Sequence, residues 1–274
     1  MENYRKILNT VNKIRSTSHN KSIKIQILKT YLFTFVLNSN QKRNKLANIT
    51  GFNVNYCTTN SLRYLFNEIF LENEYNFSTD TQKPLIIDCG SNIGMSVLYF
   101  KLLFPESEIL AFEPDEDAFG CLERNIQQNN LKNVVLEKKA LSSLDGIMDF
   151  YFDQNNPGSL KMSTIYARMP KQKREITSAR LSQYIEKEID FLKLDIEGAE
   201  SDVIEDLRME NKLPLIKKMV IEYHHHISKS NDSLSKILGV LEDTNFGYQI
   251  EGHLTRPLNS YMYQDIMIYA YRKN

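Results

Sequence analysis

The chain has 274 residues, 42% hydrophobic and 25% charged, and its 34 lysines and arginines balance 34 aspartates and glutamates. That length suits one α/β domain with an appendage and buries a sizeable core, while zero formal charge excludes a global pull toward nucleic acid or an anionic membrane. Three widely spaced cysteines (Cys57, Cys89, Cys121) exclude a disulfide framework or zinc knuckle, and the start MENYRKILNT lacks a leader's apolar core, so a cytoplasmic setting is expected.

Residues 1–40 predict two amphipathic helices. Ile7, Leu8, Val11 and Ile14 stripe the first; Ile23, Ile27, Leu28, Tyr31, Leu32, Phe35 and Val36 stripe the second, with lysines opposite. Such a pair packs on the domain or on a second copy of the chain, and a homodimer through these helices is the assembly it suggests. A peripheral membrane contact is the sharper alternative, but the charge excess that accompanies it is missing. The run at 31–37 is interrupted by Thr34 and too short to span a bilayer. A hairpin turning near Gly51 is expected over 46–57, then a helix over 61–71.

From Pro84 strands and helices alternate: strands at 85–88, 108–112 and 133–137, with helices at 94–104 and 115–129 between them. After short β-like runs at 147–152 and 174–179, strands return at 189–194 and 216–223, then a helix at 232–244 and closing strands at 247–251 and 265–271. The alternation predicts a mostly parallel sheet with helices on both faces. Residues 1–58 form an N-terminal helical extension and 59–274 the main domain. The β-rich insertion at 141–180, with its Pro157-Gly158 turn, is expected to wall the substrate side.

The stretch PLIIDCGSNIG (84–94) is a buried strand ending in Asp88 and a turn through Gly90 and Gly94 into a helix. Its Asp-x-Gly-x-x-x-Gly spacing is not that of a pyrophosphate-binding dinucleotide turn. Glu113, one βαβ unit later at the end of a second strand, is placed to accept two hydrogen bonds from a ribose diol. The pair suggests an adenosine-type ligand.

DCGSNIG, then FEP (112–114), FLKLDIEGAE (191–200) and IEYH (221–224), with NEIFLENEY (67–75) upstream, resemble the ordered motifs of FkbM-type S-adenosylmethionine-dependent methyltransferases over roughly residues 60–271. Cys89 and Ser91 stand where that family's turn has valine and alanine. The resemblance implies a class I methyltransferase fold, Rossmann-like, with a mostly parallel seven-stranded sheet. It also implies O-methylation of a sugar, glycan or secondary-metabolite hydroxyl. Cofactor contacts are then expected from Asp88, Gly90, Ser91, Asn92 and Gly94 in the turn. Glu113 and Pro114 follow the second strand, Ala140 the third and Asp195 the fourth.

Strand alternation puts Lys193 and Asp195 on one face, where the lysine needs an anionic partner; Asp195 and Glu222 are the nearest candidates. It also puts Glu222, His224 and His226 together, with His225 opposite. Removing a proton from an alcohol needs a base, and His224, oriented by Glu222 or Asp195, is the expected one. Lys193, Asp195, Glu222 and His224 are thus the catalytic candidates, with a structural ion-pair network as the bland alternative. A divalent metal on the carboxylate–imidazole set is conceivable but not predicted. An RNA ribose 2′-O-methyltransferase is the runner-up, disfavoured by the lack of a basic run. A catalytically silent cofactor-binding module is the third reading.

Overall fold

The computed structural model describes residues 2–17, 19–32, 45–227, 232–252 and 263–273. Helices α1 (Glu2–Ser16) and α2 (Lys21–Thr30) lead into a hairpin of β1 (Leu46–Ile49) and β2 (Phe52–Asn55). The predicted stripe positions Phe35 and Val36 lie outside the described residues. Helix α3 (Thr59–Phe66), capped by the Thr58 hydroxyl accepting from Ser61 N–H, continues into a π-helical turn, Asn67–Glu72. Asn73, at φ +60°, ends it.

The alternating segments form β3 (Leu85–Cys89), α4 (Met95–Leu103), β4 (Glu108–Phe112), α5 (Glu116–Gln128) and β5 (Val134–Glu137). The insertion folds as its own small sheet of β6 (Ala140–Leu141), β7 (Gly146–Phe152) and β8 (Gln172–Ala179). The main sheet resumes with β9 (Ile189–Leu194), α6 (Glu200–Met209), β10 (Ile216–His225), α7 (Leu234–Asp243), β11 (Phe246–Gly252) and β12 (Gln264–Arg272).

The main sheet has seven strands in the order β11-β12-β10-β9-β3-β4-β5. The run from β10 to β5 is parallel, and β12 lies antiparallel between β10 and β11. This is the class I methyltransferase arrangement. Both faces are covered, as buried parallel strands require. Phe191, Val220 and Met267 face a core shared with α1–α5, whereas Leu192, Leu194, Met219 and Ile221 face α6 and α7. The N-terminal helices join the first of these cores through Ile14, Ile23 and Ile27. His19 Nε2 reaches Asn73 Oδ1 at 2.5 Å and Tyr99 Oη at 3.3 Å.

From β3 the chain winds outward through β4 and β5, then returns to β9 on the opposite side of β3. Ligands in open α/β sheets bind at such a switch point, outside the carboxyl ends of the strands. Here that edge carries Gly90 beyond β3 and Asp195 beyond β9. A Cβ on Gly90, whose φ is +83°, would sit 1.8 Å from the Asp195 carbonyl oxygen, so only glycine allows the two strand ends to approach this closely.

Candidate active site

A cavity of about 810 Å³ opens at this switch point, between the carboxyl edge of the sheet, α3 with its π-helical turn, and the insertion. Its one end is built by the β3–α4 turn. Gly90 and Ser91 N–H donate to the Phe112 carbonyl at 3.0 and 2.9 Å, lashing the turn to β4. Glu113 then accepts from Asn92 N–H at 2.7 Å and Asp115 N–H at 2.8 Å. Burial, with the Asp115 charge second, pushes the Glu113 carboxyl up to about 8. Gly90, Ser91, Asn92, Glu113, Pro114 and Ala140 all line the cavity.

Asp88 and Gly94 do not line it, although both were expected to meet the cofactor. The Asp88 carboxylate is fully buried beneath the turn, where Ser96 Oγ donates to Oδ2 at 2.5 Å and Lys193 Nζ stands 3.4 Å from Oδ1. Parallel register pairs Asp88 with Lys193, so its charge is spent on the neighbouring strand. Gly94 serves backbone geometry: its φ is +86°, and a Cβ there would meet Leu122 Cδ1 at 2.6 Å.

Lys193 is 2% exposed and donates to the Gly90 carbonyl at 2.7 Å, with Asp195 Oδ2 at 3.2 Å. Burial alone would lower its pKa, but the charges of Asp195, Asp88 and Glu222 outweigh that and hold the ammonium above its ordinary value. Tyr75 Oη also donates to Asp195 Oδ2, at 3.2 Å. Lys193 and Tyr75 thereby fix the Asp195 carboxylate on the cavity wall. Glu222 lines the cavity as expected, and burial, reinforced by the Asp195 charge, raises its pKa well above the usual carboxylate range.

His224 stands elsewhere than expected. Its ring is buried and does not line the cavity. Nδ1 meets Glu200 Oε1 at 2.9 Å, while Nε2 lies 3.3 Å from Glu197, 3.8 Å from Asp195 and 4.0 Å from Asp265. Burial favours the neutral ring, but Glu197 and Glu200 outweigh it and raise the pKa well above the ordinary histidine value. Both ring nitrogens face carboxylates and the ring stands back from the cavity wall, so the structure does not bring His224 to an acceptor as the expected base. His226 also leaves the face assigned by alternation: its φ of +63° turns it out of the strand, and it stacks on His225 beside Asp232.

The sequence reading missed several wall residues. Glu68 and Tyr64 arrive from α3 and the π-helical turn, and Asp265 and Tyr263 from the last strand and the residue before it. Burial, and then the Glu74 charge, push Glu68 up to about 8; half-buried Glu74 is itself raised to about 7. The insertion contributes the apolar Phe150, Met162 and Met169, together with Arg168. Arg168 Nε donates to Glu197 Oε2 at 2.5 Å and its guanidinium covers the Tyr263 ring at 4.1 Å. Only the NEIFLENEY resemblance flagged the segment holding Glu68 and Tyr75, without assigning either a role.

Residues 88–250 match the methyltransferase FkbM domain, more than half of the chain. The chain is similar to Methyltransferase 1 of Beauveria bassiana, 30% identical over 214 residues, which span 69% of this chain and 83% of that protein. It is similar to the 31-O-demethyl-FK506 methyltransferase FkbM of Streptomyces tacrolimicus, 26% identical over 207 residues, 64% of this chain and 79% of that one. A third relative, the 2-O-methyltransferase NoeI of Sinorhizobium fredii, is 27% identical over 139 residues, 44% of this chain and 56% of NoeI.

Proposed function

The chain belongs to the FkbM methyltransferase family, and from that premise we propose that it transfers a methyl group from S-adenosylmethionine to a hydroxyl of a sugar, glycan or secondary metabolite. The observation that carries this reading is one cavity running from the glycine turn and Glu113 to the carboxylate of Asp195. The residues fit the cofactor. Glu113 keeps lone pairs beyond the two backbone donors it already accepts, as a ribose diol requires. Asn92 Oδ1 is buried without a partner, an acceptor awaiting a donor. Gly90 leaves the backbone bare where a side chain would collide.

S-adenosylmethionine held by the glycine turn and Glu113 would supply an electrophilic methyl group to the acceptor oxygen and keep the sulfur electron pair on the S-adenosylhomocysteine product. Asp195, held by Lys193 and Tyr75, takes the hydroxyl proton as the oxygen–carbon bond forms. Phe150, Met162 and Met169 exclude water from the reacting pair. Glu68, Glu222 and Asp265 line the far wall with carboxyl groups able to hydrogen-bond a hydroxylated acceptor. The two O-methyltransferase names among the relatives agree with transfer to oxygen. Calorimetry with S-adenosylhomocysteine, followed by a mass-shift screen of hydroxylated acceptors, tests the proposal. A gain of one methyl on a glycan or secondary-metabolite hydroxyl is expected; tight NAD binding without S-adenosylhomocysteine binding would overturn it.

A further inference from the structure

Cys57 and Cys121 lie 64 residues apart in the chain, yet their Sγ atoms stand 3.6 Å from each other. Both thiols are free. Cys57 occupies the bend between β2 and α3, and Cys121 the middle of α5. A cavity of about 150 Å³, sharing no lining residue with the active-site cavity, reaches both cysteines between Lys45, Arg124 and Pro157. We propose that Cys57 and Cys121 are a redox modification site, oxidised by hydrogen peroxide to one reversible disulfide that ties α5 to the start of α3.

The two thiols are not equivalent. Arg124, one helical turn beyond Cys121, donates from Nη2 to its Sγ at 3.3 Å. The hydrogen bond shared with Cys57 lowers the Cys121 pKa; burial opposes this, and the Arg124 guanidinium adds to it. The same shared bond, then burial, raises Cys57. Cys121 is therefore the attacking thiolate and Cys57 the thiol that resolves it. Cys89 is the contrast: it is fully buried, and burial with the Asp88 charge raises its pKa well above the ordinary thiol value.

In the first step the Cys121 sulfur attacks one peroxide oxygen, so that an S–O bond forms and the O–O bond breaks. Sulfur gives up two electrons, and the departing hydroxide takes the original Cys121 proton to become water. Cys57 sulfur then attacks the sulfenic Cys121; the S–S bond forms, the S–O bond breaks, and the oxygen leaves with the Cys57 proton as a second water. A dithiol reverses the bridge by exchange, which distinguishes it from the permanent framework of a small secreted domain. The pair sits where three segments around the active-site cavity meet. Thr58, next to Cys57, caps the helix that carries Tyr64, and α5 starts from Asp115, two residues after Glu113. The insertion's turn rests on the same sulfur, since a Cβ on Gly158 would meet Cys57 Sγ at 2.6 Å.

The test treats the full chain, reduced and desalted, with hydrogen peroxide, then alkylates free thiols and maps the digest by mass spectrometry. Loss of two hydrogens, a peptide pair joined through Cys57 and Cys121, an alkylated Cys89 and full reversal by dithiothreitol are expected. Cys57→Ser should accumulate a sulfenic acid on Cys121, trapped by dimedone. Arg124→Gln, at an exposed helix position, should slow bridging by about threefold or more. The wild-type map decides without any variant: Cys57 and Cys121 both still alkylated, a bridge through Cys89, or a bridge between two chains overturns the proposal. A Cys57→Ser chain that yields no dimedone adduct, or an unchanged rate in Arg124→Gln, overturns Cys121 as the attacking thiolate.

Discussion

Replacing Lys193 with methionine keeps the length of the side chain and removes its charge from a strand buried on both faces. The ammonium stands 3.4 Å from Asp88 and 3.2 Å from Asp195. The two carboxylates differ in what they lose: the Asp195 side chain is 21% exposed and retains Tyr75 and water, whereas Asp88 is 0% exposed and retains only Ser96. Stranding a buried charge costs about 3–5 kcal/mol, and in a chain of this size each kcal/mol is worth about 2–4 °C of Tm. Lys193→Met should therefore lower Tm by roughly 6–20 °C, read by circular dichroism without ligand and checked by urea midpoints. Because the cost sits on Asp88, adding Asp88→Asn should recover more than half of the loss, while adding Asp195→Asn should recover little. A single-variant Tm within about 2 °C of wild type, or equal rescue by both second substitutions, would refute the reasoning.

Glu113→Ala removes the proposed ribose acceptor and two backbone anchors of the turn, so S-adenosylhomocysteine affinity should fall by about 2–4 kcal/mol in calorimetry; an unchanged affinity would remove Glu113 from the site. Glu68 and Glu74 are raised from 4.5 to about 8 and about 7 by burial. A carboxyl that holds its proton more tightly when folded adds stability that is full below its unfolded pKa and is lost as pH rises through the folded one. Tm should accordingly decline as pH rises from 4.5 through 8, with Glu68→Gln flattening that decline; a parallel decline in the variant would contradict the assignment. Deleting the described N-terminal helices uncovers the core that Ile14, Ile23 and Ile27 close, so the truncated chain should aggregate on size-exclusion chromatography. A monodisperse truncation with wild-type Tm would show that these helices are dispensable to packing.

The strand–helix alternation was legible because each parallel strand is a short apolar run and each helix carries its own stripe, which are local properties. Gly90 was legible for a related reason: a positive φ and a close backbone crossing leave glycine as the residue that fits. The division of labour among the acids was not. Asp88 and Asp195 both end strands, and only the register that pairs Asp88 with Lys193 sends one beneath the turn while the other meets the cavity. Alternation placed Glu222 correctly, but it failed at His226, where a left-handed backbone ends the strand. Tyr75, Glu68 and Asp265 come from segments more than a hundred residues from at least one neighbour in the site, and no local pattern encodes such a meeting.

His224 shows what strand alternation alone leaves out when it assigns a role. A histidine at the end of a central strand beside a cofactor turn has the reach of a general base, and from sequence its neighbours look like orienting groups. Two of those neighbours, Glu197 and Glu200, lie on the chain just after β9 and at the first turn of α6, and they meet the ring on opposite nitrogens. Their charges raise its pKa and take up both ring nitrogens. In the O-methyl transfer proposed above, proton removal therefore falls to a carboxylate on the cavity wall, Asp195, which Lys193 and Tyr75 hold in place. The same Glu200 that holds Nδ1 leaves Nε2 facing Glu197 at 3.3 Å, so both ring nitrogens are taken up by carboxylates outside the cavity's reacting end.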